Sequence, residues 1–184
     1  MARRTAATES SASPNEAVKL ASVRVDASFA RMASALDTIA HVVMPNVMKL
    51  KGASTLVGSL ERGDTSPFAQ VWQQTGVEHT PQAIAKEIGD WRVGVISLPK
   101  PSAMGDAYMC AFVAKKNEPT VARYFTLDYD YVLATKTEKT VLCDQEMGRM
   151  IKRGDGPAIT GDFATDASAF IDAAVEYLNT VKKY

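Results

Sequence analysis

The sequence predicts an α+β fold, a four-stranded antiparallel β-meander flanked by a long N-terminal helix and a shorter C-terminal helix. Three observations carry that expectation. Between Asp90 and Met147, runs rich in Tyr, Phe, Val, Thr and Leu alternate with turn-forming clusters. A stripe of apolar residues at helical spacing precedes this region, and a second stripe follows it.

Residues 1–13 read as a flexible tail, and residues 14–184 as one α+β domain. Ser13-Pro14-Asn15-Glu16 is a capping-box signature that opens the first helix. Val25, Phe29, Met32, Leu36, Ile39 and Val43 then recur at alternating spacings of 4 and 3, and Met44-Pro45 is expected to end or kink the helix. Such a stripe either covers the sheet or forms the seam of a homodimer.

Leu56, Val57 and Leu60 suggest a short helix ending near Gly63. Ser66-Pro67 caps another, which carries Phe68, Val71 and Trp72 and stops at Gly76. Thr80-Pro81 reads as the start of a third, with Ile84 and Ile88 on one face and Gly89 just past its end.

The first strand is Asp90–Leu98, with Trp91, Val93 and Val95 on one face and Arg92, Gly94 and Ile96 on the other. Pairing Lys115 with Thr120 sets Tyr108, Cys110, Phe112 and Ala114 opposite Leu127, Phe125, Arg123 and Val121 as the core face. Residues 148–162 read as a loop, and the last helix runs from about Asp162 to Val181 along Phe163, Ala167, Phe170, Ile171, Ala174 and Leu178.

Twenty-one basic residues balance twenty-one acidic ones, which argues against a wholesale binder of nucleic acid or anionic membrane. No apolar run reaches the ~18–20 residues that span a bilayer, and no apolar segment follows the N-terminal Arg pair. A cytoplasmic location is the default expectation. Cys110 and Cys143 are expected to be buried thiols, about 17 Å apart in this register and not bonded to each other.

The catalytic inventory is thin. His41 and His79 are the only histidines, with no partner three or four residues on, and no zinc-ligand spacing or nucleophile motif occurs. No metal and no cofactor is expected. Asp128 and Asp130 share a strand face about 7 Å apart, an arrangement that suits acid–base work or simply faces water.

Arg149, Lys152 and Arg153, ahead of Gly154, Gly156 and a helix start, could hold a phosphate or carboxylate. Asp162 competes for that positive helix end. Gly94, Ala111 and Tyr124 align into a trough, fit for a ligand or for a closely packed helix.

The leading functional expectation is a non-catalytic cytoplasmic binding or interaction module, with an unidentified protein or a second copy as partner. The alternative is a small-molecule or anion-binding protein, conceivably an enzyme, whose ligand contacts Tyr124, Asp128, Arg149, Lys152 and Arg153.

Overall fold

The structure, a computed structural model, describes residues 35–101, 105–146 and 149–181. The expected tail, the capping box and the stripe from Val25 to Met32 lie outside the described residues. The class is α+β with an antiparallel sheet, but the sheet has six strands in sequence order rather than four. These are β1 (Ala83–Ile88), β2 (Trp91–Ser97), β3 (Ala107–Lys115), β4 (Ala122–Val132), β5 (Thr137–Glu146) and β6 (Arg149–Asp155).

The two added strands had physical disguises. Ile84 and Ile88, four apart, share a face in a helix and equally in a strand, so their spacing cannot separate the two. Gly89-Asp90 is not a helix cap. It is the two-residue turn of a hairpin pairing Ile88 with Trp91, with Gly89 at φ 57°. The stretch Arg149–Asp155, expected as loop, is an edge strand on β5. Basic residues and glycine suit an edge, where charge discourages further pairing.

Helices cover both faces of the sheet. On the upper face lie α1 (Ala35–Thr38), a π-helical turn (Ile39–Val43), α2 (Met44–Lys51), α3 (Ala53–Glu61) and α4 (Ala69–Thr75), the last entered through a 3₁₀ turn (Ser66–Phe68). On the lower face lies α5 (Phe163–Thr180). Ile96, Cys110, Phe112 and Tyr124 pack upward against Ile39, Val43, Met44, Leu56 and Leu60. Val93, Val95, Ala111, Val113, Phe125 and Leu127 pack downward against Ala167, Phe170, Ile171 and Ala174.

This double burial explains why the expected β3–β4 register is one residue out. Cys110 pairs with Thr126, Phe112 with Tyr124 and Val113 with Arg123. Apolar bias fixes register only where one face is wet, and here neither is. The β4–β5 pairing sets Cys143 opposite Thr126 as well, closer to Cys110 than the expected ~17 Å. The two cysteines therefore flank Thr126 on either side, roughly 10 Å apart at two strand spacings. That still exceeds disulfide reach, and both thiols are free and buried.

The N-terminal helix also differs from expectation. Helical turns continue through Pro45 to Lys51 instead of ending there, and Ile39 and Val43 from its stripe sit in the core. Gly94 faces α3, so the small sheet residue marks a close-packed helix and no open trough. A Cβ on Gly94 would lie 2.9 Å from Leu60 Cδ1 and 3.3 Å from the Val57 backbone. Arg92, two residues before it, locks the same helix through Glu61 at 2.7 Å and Ser54 at 3.1 Å.

Across the sheet, Tyr177 of α5 donates to Asp144 over 2.9 Å, and Arg123 pairs with the same carboxylate. Among the described residues, no helix is long and apolar enough to cross a membrane.

Replacing Gly94 with Val should push α3 off the sheet and cost roughly 2 kcal/mol. Urea denaturation checks this, and an unchanged midpoint would contradict the close packing.

Candidate functional site

The site begins with a missing donor. In an α-helix Met44 N–H would bond the Ala40 carbonyl, but in the π-turn it bonds Ile39 O. The next π-type donor to Ala40 would be residue 45, and proline has no N–H. Ala40 O is thus left without a helical donor inside the core. The Tyr124 hydroxyl, from near the start of β4, donates to it. Tyr124 is only 1% exposed, so its phenol anchors a helix and does not edge a ligand trough.

One residue along, the same π-turn aims His41 at the sheet. His41 Nε2 lies 3.2 Å from Asp128 Oδ2, 3.3 Å from Asp37 Oδ1 and 3.2 Å from the Gly105 carbonyl. One N–H among three oxygens cannot satisfy them all directionally, so charge does most of the holding. Nδ1 contacts the Gln145 carboxamide, which also reaches Thr126 Oγ1 over 2.9 Å. The structure sets the Gln145 amide nitrogen against Nδ1; a charged ring accepts at neither nitrogen, so the imidazolium form requires the amide turned to present its oxygen.

Burial opposes a charge on His41, but the Asp128 hydrogen bond and charge, the Gln145 contact and Asp37 outweigh that, and the ring is pushed up to about 9. It is an imidazolium at neutral pH. Burial raises Asp37, His41 lowers it, and the carboxylates of Asp128 and Asp106 raise it again. The His41 cation is what allows acidic groups to gather here. Cys143 donates from Sγ to Asp128 Oδ2 over 3.2 Å, while Asp128 Oδ1 is buried with no hydrogen-bond partner among the described residues. Burial pushes the Cys110 thiol up to about 12, against a lesser lowering by its contact with Tyr124, so it is protonated and inert.

Beside this cluster opens a cleft of about 680 Å³. Pro45, Met48 and Lys49 of α2 form one wall, Pro119, Thr120 and Ala122 the other, and Gly52 and Ala53 close one end. Gln145 and Tyr124 also border it, so the groups that hold His41 and Ala40 stand between the cluster and the cleft.

Of the residues singled out from sequence, Tyr124 and Asp128 come together around the His41 turn, each with a structural partner. Asp130 works apart from Asp128, accepting a hydrogen bond from Tyr131 N. Arg149, Lys152 and Arg153 are not in a loop at a helix start. They lie on β6, where Arg149 pairs in register with Glu146, Lys152 with Asp144 and Arg153 with Cys143, and their side chains are outside the described part.

The start of α5 is occupied instead by Asp162, which accepts from Thr165 N at 3.0 Å, and by Asp166, which accepts from Thr160 and Gly161 amides. Sequence reasoning set His41 aside for want of a partner three or four residues on, and gave no role to Gln145 or Asp37. One signal was available: Asp37 stands four residues before His41 on the same helix, a spacing that places the two side chains together.

Among the described residues, no group of three or more His, Cys, Asp or Glu side chains is arranged to hold a metal ion. No protein-family model, no curated protein and no solved structure matches the chain.

Replacing His41 with Ala should cost about 3–5 kcal/mol, because it strands buried carboxylates. The wild-type protein carries a matching pH signature. The His41 contribution is complete below the unfolded value near 6.5 and is lost as pH rises through about 9, a change of order 3 kcal/mol. Denaturant titrations of both proteins at pH 6 and pH 9.5 check this; the gap between them should narrow at the higher pH. Tyr124→Phe leaves Ala40 O unsatisfied and should cost about 1–3 kcal/mol by the same measurement.

Proposed function

We propose that this chain is a non-catalytic binding module whose ligand enters the cleft between α2 and the β3–β4 turn. The observation that carries the reading is the cleft itself. Its volume of about 680 Å³ lies within the roughly 300–1,000 Å³ of small-ligand sites. Its lining mixes apolar walls (Pro45, Met48, Pro119) with a few polar groups (Asn46, Lys49, Thr120, Gln145), the usual division between affinity and orientation.

The imidazole and carboxylate that could transfer protons, His41 and Asp128, are engaged with each other, with Asp37 and with Gln145. Their role in this reading is to clamp helix to sheet. Two buried free thiols suit a reducing compartment, which supports a cytoplasmic setting.

A homodimer seam along the N-terminal helix cannot use Ile39 or Val43, since both are core residues. The rest of that stripe, from Val25 to Leu36, lies outside the side chains described.

Two-dimensional amide NMR with a small-fragment library tests the cleft. Hits should move the amides of Asn46, Lys49 and Thr120, and Thr120→Trp, which fills the cleft from an exposed position, should weaken them at least tenfold. A library that leaves those amides still refutes the reading.

A further inference from the structure

We infer that the ligand of this cleft is a small organic anion, a carboxylate or phosphate monoester attached to a compact apolar group. The inference rests on the cleft being the binding site and adds the chemical class of its occupant.

The first support is the sign of the charge. Among the described residues that line the cleft, Lys49 has the one ionised side chain on the upper face and no carboxylate is present; Arg123 borders the cleft, but its side chain points to the lower face with Phe125. Arg123 already carries Asp144 as its counter-ion. Lys49, exposed near the end of α2, has no ion pair among the described residues and is the cation left to meet a ligand. In a protein whose formal net charge is zero, a recess whose one described charge is positive attracts anions locally.

The second support is the end wall. Gly52 and Ala53 border the cleft, and they are the N-cap and first residue of α3. This helix start has no side-chain cap and no acidic residue in its first turn. It contrasts with α5, whose N-terminus is held by Asp162 within the same chain. Amide N–H groups at a helix start add to Lys49 in favouring an anion.

The third is the apolar surface beside and across from the charge. Pro45, Met48 and Pro119 offer only apolar contact, so the anion is expected to carry an apolar part. A bare inorganic ion would leave that surface unused.

Four probes with one ring and different heads separate the possibilities: benzoate, phenyl phosphate, benzylamine and benzyl alcohol. Each is titrated at fixed ionic strength into the full chain, followed by the Asn46, Lys49 and Thr120 amides and by calorimetry. Benzoate or phenyl phosphate should saturate and bind at least tenfold more tightly than the amine and the alcohol. The stronger of the two tells a carboxylate ligand from a phosphate.

Lys49→Glu should weaken the anion at least tenfold, and Lys49→Arg should retain it. Lys49 is exposed, so circular dichroism should show both variants folded. Equal binding of benzyl alcohol and benzoate overturns the anion assignment while leaving the cleft as a site. Anion binding that Lys49→Glu does not weaken overturns it too. Failure of all four probes overturns it as well, and the fragment screen above then decides separately whether the cleft binds anything.

Discussion

A carbonyl without a helical donor holds this structure together. Pro45 cannot bond Ala40 O, and the π-turn has already drawn the Met44 N–H to Ile39, so the oxygen must find a donor in the core. Only a side chain rising from the sheet can supply one, and Tyr124 does. An unmet carbonyl at that depth would cost on the order of a tenth or more of a domain's whole stability. The hydrogen bond therefore sets both the height and the rotation of the helix above β4. With rotation fixed, His41 falls over Asp128, Cys143 of β5 donates to the same carboxylate, and Gln145 of β5 closes on the imidazole ring.

Two kinds of interaction share the upper layer. The apolar contacts of Phe68, Phe112, Leu56 and Leu60 fill space but tolerate sliding. The His41 cluster tolerates none, because moving it by one residue would bury unpaired charge. This supplies a registry that apolar packing on a two-sided sheet cannot supply. The cleft opens where the packed layer ends and this polar group begins, with Gln145 belonging to both.

How much of this was legible follows from which residues carried a single-valued signal. The last helix was legible because its stripe has one period and its cap, Asp162, one role. The helix over Leu56–Leu60 and the turn at Ser66-Pro67 were legible for the same reason. Pro45 misled, since a proline stops a regular helix but is accommodated by a π-turn that has already displaced the bond it lacks. Ile84 and Ile88 misled because a spacing of four fits both periods. The register misled because apolar residues lie on both sides of every central strand. The polar cluster was least legible of all: Asp37, His41, Asp128 and Gln145 are drawn from three elements, and only the first two are near in sequence.

The strand order has a consequence for how the chain is made. Each strand pairs with the one synthesised just before it, so the sheet can zip up as it leaves the ribosome. Its lower face is another matter. The cover for Val93, Val95, Ala111 and Phe125 is α5, which lies after the whole sheet and reaches back to β1 and β2. At ~5–20 residues per second, the apolar floor of β2 waits several seconds for its lid. A nascent chain of this design exposes a broad, flat, sticky sheet through most of its birth, and its yield in a cell depends on whatever shields that face in the interval.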